Sequence, residues 1–184
     1  MNVHDHLKSL TVAEIKDTYI KNTIPAASAM MHVTGDFNLS TLIRNSNFFG
    51  YERVFYVGGK KAYDRRGCVG THNYIPVTFI KTEEEFVKTV KDLGYSLISV
   101  ENNINYVSYD FHSLMNVIRN GHDALNKPLF IFGEEQKGLS DYILSNSDRI
   151  VTISGRGTVR SLNVGTASGI VLSTYASLFP QTNV

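Results

Sequence analysis

Short β-type apolar runs alternate along this chain with stretches whose apolar residues recur at helical spacing. That alternation restricts the fold more than any other feature of the sequence. The runs fall at residues 29–33, 53–57, 77–80, 96–100, 129–132 and 149–153, and helical patterns lie between several of them at 40–48, 83–93 and 140–145, with a last one at 162–178. Strands separated by helices pair in parallel and need cover on both sides, which predicts an α/β domain with a mostly parallel sheet and helices on both faces. Open sheets of this kind bind ligands at the carboxyl ends of their strands. Ahead of the first strand, Leu7, Leu10, Ile15 and Ile20 give a loose helical pattern over 4–22 that Pro25 breaks. The expected division is therefore an N-terminal helical extension at 1–26 and a main domain at 27–184. The polar stretch 101–126 reads as a mobile connection without regular structure.

The length of 184 residues suits one well-buried core. With 42% apolar and 19% charged residues the composition is that of an ordinary globule, and no apolar run approaches the roughly 20 residues of a membrane span. The first 22 residues contain acidic side chains and no apolar core, so they read neither as a secretory signal nor as a transit peptide. A single cysteine, Cys68, excludes an internal disulfide and suits a reducing, cytoplasmic setting. As a nucleophile Cys68 lacks a histidine and carboxylate nearby in sequence. His4 and His6 bracket Asp5 like metal ligands but have no further ligand near them, so no metal site is expected.

A formal net charge of +1 argues against gripping long nucleic acid by bulk electrostatics. RNA binding would need a local patch. The densest candidate is Lys60, Lys61, Arg65 and Arg66 around Tyr63, followed by His72, since cations hold phosphates and an aromatic ring stacks bases.

Three further segments combine residue types suited to chemistry. In the first, Asn38 and Arg44 stand six apart at a strand-to-helix transition, where Asn38 or Ser40 serves equally as a helix cap. The second, Leu129-Phe-Ile-Phe-Gly-Glu-Glu-Gln-Lys-Gly-Leu-Ser140, runs from a buried strand into an acidic loop bounded by Gly133 and Gly138. It is no Walker loop, because the glycine spacing and the Lys-Ser/Thr pair are missing and Glu134 and Glu135 would repel a polyphosphate. In the third, Arg160-Ser-Leu-Asn-Val-Gly165 opens the last helical pattern with a cation, a hydroxyl and a carboxamide, more than a cap requires.

In this order and spacing the three segments resemble the SpoU/TrmH family of RNA ribose 2′-O-methyltransferases, of the SPOUT class. The family's first motif matches Asn38, Arg44 and Phe49-Gly50; its Phe-Gly-Asn-Glu-x-x-Gly loop matches Phe132, Gly133, Glu135 and Gly138; its Ser-Leu-Asn-Val matches Ser161 to Val164. The likeness covers about residues 27–178. Two positions depart from the pattern: Glu134 stands where asparagine or glutamine is usual, and Ser154 where a proline commonly follows Ile153.

The resemblance implies a deep C-terminal trefoil knot and S-adenosylmethionine bound in it, mainly through backbone groups. The cofactor loops would lie at Val100, Glu101, Phe132, Gly133, Glu134, Ile153, Val159 and Leu162. It implies catalytic roles for Asn38, Arg44, Glu135, Ser161 and Asn163, an RNA substrate with tRNA favoured over rRNA, contacts to it from the Lys60–Arg66 patch, His72 and Arg160, and a homodimer. Ile170, Val171, Tyr175 and Leu178 exceed what one helix face commits to its own core, so they are expected at the dimer contact. The competing readings are a catalytically silent relative serving as an RNA-binding or assembly module, and an ordinary doubly wound nucleotide-binding enzyme. The first conflicts with retention of the site residues, the second with the lack of a glycine-rich dinucleotide fingerprint.

Overall fold

The structure, a computed structural model, describes residues 3–32, 36–59, 63–102, 104–134 and 137–180. Thr11 starts the first helix, α1 (Val12–Lys21), with a capping box: its hydroxyl accepts from Glu14 N–H at 3.3 Å and Glu14 accepts from Thr11 N–H at 2.8 Å. The chain then enters β1 (Ile24–Met31), earlier than the expected residue 29. Pro25 lacks an N–H, and the pairing register shifts between Ile24 and Ala27. The run Ala26-Ala-Ser-Ala29 carries little β signal of its own, but all four residues are fully buried in the middle of the sheet, where burial outweighs propensity.

The remaining strands are β2 (Tyr51–Val57), β3 (Val77–Ile80), β4 (Ser96–Val100), β5 (Tyr109–Asp110), β6 (Pro128–Phe132) and β7 (Arg149–Thr152). Among the described residues they form a seven-stranded sheet in the order β3-β2-β1-β6-β4-β7-β5, parallel throughout. Alternate strand residues serve opposite faces. Met30, Ile98 and Phe130 meet Leu39, Leu42 and Ile43 of α2 (Asp36–Phe48), Phe111 and Leu114 of α4 (Phe111–Arg119) and Leu172 of α6 (Val164–Ala176). Ala29, Leu97 and Ile131 meet Phe86 and Val90 of α3 (Glu83–Asp92) and Ile143 and Leu144 of α5 (Asp141–Asn146). The expected α/β architecture is therefore present, with helices on both faces.

Two expectations are corrected. Residues 101–126 are no irregular connection, because they contain β5 and α4. Phe111, Leu114, Met115 and Ile118 recur at helical spacing, and Asp110 caps the helix by accepting from Ser113 N–H at 2.9 Å. The polar residues around them masked that pattern. Likewise Val171 and Tyr175 are not held back for a partner: they are 0% and 3% exposed in their own core. A centrally placed α6 covers the sheet, and the Tyr51 hydroxyl donates to Leu172 O at 3.1 Å.

The N-terminal helix is fastened to the rest of the chain. Leu7 and Ile15 bury against Tyr74 in the loop before β3, and the Tyr19 hydroxyl donates to Tyr51 O. Burial pushes that phenol well above its ordinary range.

Candidate active site

Three neighbouring strands end together. Val100 of β4 stands opposite Phe132 of β6 on one side and Val151 of β7 on the other, so the loops beginning at Glu101, Gly133 and Ile153 leave the sheet side by side. The side chains of Val100 and Phe132 are buried, which leaves their backbone groups to face a ligand.

Hydrogen bonds stitch these loops to one another. Glu101 accepts from Leu139 N–H and from Asn102 N–H, both at 2.9 Å, and Gly138 N–H donates to Glu134 O at 3.0 Å. Asn102 pairs with the Ile153 backbone in both directions at 3.2 Å. The glycines are sterically required. A Cβ at Gly133 would lie 2.4 Å from the Gly138 carbonyl carbon, and at Gly138, where φ is +67°, it would lie 2.5 Å from Glu101 Oε2. Glu101 thus spends its carboxylate on the neighbouring loop, which sequence could not show because the partner lies 38 residues away.

Both departures from the family pattern have local partners. Glu134 Oε1 stands 3.9 Å from Lys137 Nζ. Ser154 donates to Asp110 Oδ2 at 2.5 Å, tying the segment after β7 to the cap of α4, and this bond together with Ser113 N–H holds the Asp110 carboxyl below its usual range.

Helices α2 and α6 pack closely through small residues. Gly165 leaves room for Thr41, whose Cγ2 would meet a Cβ there at 2.9 Å, and Asn45 Nδ2 donates to Gly165 O and Ser168 Oγ at 3.2 and 3.1 Å. Asn45 falls seven residues after Asn38, on the same helical face, and that spacing is the signal that would have identified it. This contact brings two of the expected catalytic residues together. Asn163 caps α6 through its Oδ1 and donates through Nδ2 to Asn38 Oδ1 at 3.1 Å. Arg44 lies further along α2 and is exposed; Val159, Arg160, Ser161 and Leu162 are exposed ahead of α6. Glu135 lies outside the described residues.

The basic patch is only partly free. Arg66 is held by Asp64 through Nε and the backbone amide, at 2.9 to 3.0 Å, and this pairing keeps the Asp64 carboxyl at about 2. Arg65 is exposed, with its guanidinium 5.8 Å from the Tyr63 ring centre. The Asp64 carbonyl accepts from Ser40 of α2, so this loop is tied to the helix that carries Asn38 and Arg44. Burial, followed by the Arg65 charge, lowers the His72 pKa. Cys68 is buried and its thiol is pushed up, which suits a core residue and not a nucleophile. Lys60 and Lys61 lie outside the described residues.

A surface cavity of about 520 Å³ opens between β5, α4 and β7, lined in part by Tyr109, Val117, Asp123 and Arg149. Among the described residues, none of the expected site residues lines it. Among the described residues no group of His, Cys, Asp and Glu is placed to hold a metal, and no helix is long and apolar enough to cross a membrane.

Comparison with known proteins finds relatives by sequence and by fold. The tRNA (guanosine(18)-2′-O)-methyltransferase of Aquifex aeolicus is 24% identical over 148 residues, covering 77% of this chain and 64% of the relative. The protein of the same description from Escherichia coli K12 is 25% identical over 145 residues, covering 78% of this chain and 59% of its own. This chain thus spans less than two thirds of either relative. The crystal structure of the A. aeolicus TrmH/SpoU tRNA modifying enzyme shares the fold with a TM-score of 0.74 at 19% identity, covering 91% of this chain and 81% of that one. The SpoU methyltransferase AviRb from Streptomyces viridochromogenes, solved in complex with AdoMet, has a TM-score of 0.69 at 19% identity and covers 85% and 57%. The SpoU rRNA methylase family model matches residues 28–173, from β1 into α6 and so across every loop of the site, and the chain belongs to that family.

Proposed function

We propose that this protein transfers a methyl group from S-adenosylmethionine to a ribose 2′-hydroxyl of RNA, with tRNA favoured over rRNA. The observation that carries the reading is the Asn38–Asn163 pair, which fastens the helix of the exposed Arg44 to the start of α6, directly after the exposed segment 159–162. The residues present fit the cofactor. The ends of β4, β6 and β7 offer backbone groups at Val100, Phe132, Gly133 and Ile153, Val159 and Leu162 are exposed at 75% and 44% and provide apolar surface, and Glu101 and Glu134 supply negative charge suited to a sulfonium. When bound, the cofactor supplies an electrophilic methyl group.

The chain's own task is alignment and charge. In-line transfer gains much of its rate from holding the reacting atoms in place. The Arg44 guanidinium holds the target phosphate and stabilises the negative charge that develops on the ribose oxygen as its proton passes to solvent water and its bond to the methyl carbon forms. Asn38, Asn163 and Ser161 orient the ribose and Arg44, and Glu135 orients a loop amide. Arg65, Arg160, His72, Lys60 and Lys61 dock RNA, with Arg66 contributing less because Asp64 already engages it.

The tRNA preference rests on the guanosine-18 relatives. A knotted path is supported by the sheet order: β7 lies between β4 and β5, so residues 101–108 cross β7 at the level of Val151 and the chain must leave past them toward α6. We also propose a homodimer, with exposed Phe37 and Phe48 in place of Val171 and Tyr175 at the contact, and a cytoplasmic location. Mass spectrometry of ribose-methylated nucleosides after incubation with total RNA and S-adenosylmethionine tests the function. The expected result is one new 2′-O-methylnucleoside in the tRNA fraction; binding of RNA and cofactor without transfer would favour the silent relative.

A further inference from the structure

At the end of β1 the backbone takes an unusual conformation. His32 has φ of +47°, in the left-handed region that residues bearing a Cβ seldom adopt, and such strain persists only where the surroundings hold it. Here three contacts do so. The His32 N–H donates to Val57 O at 2.8 Å. Its imidazole Nε2 donates to Glu83 Oε1 at 2.7 Å. The ring rests against Gly58, where a Cβ would come within 2.6 Å of Nδ1.

Glu83, the first residue of α3, has a side chain only 13% exposed. Its other oxygen accepts from Ser140 Oγ at 2.6 Å, and that hydroxyl accepts from Ile143 N–H at 3.2 Å to cap α5. One carboxylate therefore joins the end of β1, the start of α3 and the start of α5. Local structure does not demand this. Thr82 already caps α3 and Ser140 already caps α5, while glycine at 32 would remove the backbone strain. What the bridge does join is His32, four residues upstream of the start of the α2 helix that carries Asn38 and Arg44, to Ser140, which closes the loop begun by Gly133.

We infer that His32, acting through the Glu83 carboxylate on Ser140, is a positioning residue that sets the catalytic helix α2 against the closing end of the cofactor loop at Gly138 and Leu139. The inference rests on the function proposed above. His32 touches neither substrate nor cofactor; it fixes the spacing between the groups that do.

The test compares wild type with His32→Gly and His32→Gln. Glycine removes the bridge and also the strain, so the melting temperature should stay level or rise and the affinity for S-adenosylmethionine should stay within about twofold, while kcat falls about tenfold. Glutamine keeps a donor at the reach of the imidazole Nε2, so it should recover kcat to within about threefold of wild type. Hydrogen exchange gives a readout independent of activity: amides of residues 37–43 and 139–144 should lose protection together in the glycine variant and regain it in the glutamine variant. Wild-type kcat in His32→Gly, or unchanged exchange in both segments, would overturn the inference. A wild type that methylates no RNA yet shows the paired exchange response would leave the bridge standing and remove the proposed reaction instead.

Discussion

Asn163 Nδ2 donates to Asn38 Oδ1 at 3.1 Å across 125 positions of sequence, while Asn163 Oδ1 accepts from Gly165 and Thr166 N–H at 2.9 and 3.3 Å. A single carboxamide starts α6 and fastens it to α2. The two jobs separate by substitution. Asn163→Ser keeps a capping oxygen but is too short to reach Asn38, so it should melt close to wild type and transfer methyl groups about tenfold more slowly. Asn163→Ala loses both and should also lose about 1 kcal/mol of stability. Thermal melts paired with transfer assays check this; equal activity of Ser and wild type would leave Asn163 as a cap alone.

Arg44 and Arg65 should fail differently. Arg44→Ala should leave cofactor affinity nearly unchanged and cut transfer by about two orders of magnitude, the scale of a lost transition-state contact. Arg65→Ala should instead raise the RNA concentration needed, with a shallower salt dependence and near-normal saturated turnover. Arg66→Ala should shift RNA binding less than Arg65→Ala, because Asp64 already holds that guanidinium.

The same ion pair predicts a pH response. The folded Asp64 carboxyl titrates at about 2, below its ordinary 3.8, because Arg66 favours the charged form. Its contribution is therefore fully present above pH 3.8 and is lost as pH falls through about 2. Carboxyl-carbon NMR should place the Asp64 midpoint near 2 in wild type and return it toward 3.8 in Arg66→Ala.

Glycines of the site loops should rank by what surrounds them. At Gly133 an added methyl meets backbone, which cannot move aside, so Gly133→Ala should cost about 1–3 kcal/mol and abolish cofactor binding. Gly138→Ala meets a movable carboxylate but also a left-handed backbone, and should weaken binding without abolishing it. Gly155→Ala and Gly157→Ala face open space and should be tolerated. Calorimetric titration of the four variants gives the order.

Much of this architecture was legible because it is written in local patterns. Alternating strands and helices gave the sheet class, and the second and third motifs marked the ends of β6 and β7, two of the three strand ends that lie side by side with that of β4. What escaped were features settled by distant partners. The alanines of β1 take a strand because they are buried on both faces, and Tyr175 belongs to the core because Phe130 lies 5.3 Å from its ring. α4 escaped for a different reason, since its apolar spacing was present and polar neighbours hid it. Glu101, Asn45 and the His32–Glu83–Ser140 bridge act through residues 38, 120 and 51 to 57 positions away, and no window of sequence contains both ends.

The packing of α6 on α2 also fixes the order in which the molecule can become competent. Contacts that join residues more than a hundred positions apart close slowly, since the intervening chain must first be organised. Helix α6 supplies Leu172 and Tyr175 to the core and Asn163 to the site, so neither is complete while that helix is still unplaced. During refolding, helical signal should return before methyl transfer does, and the interval between the two would time the arrival of α6.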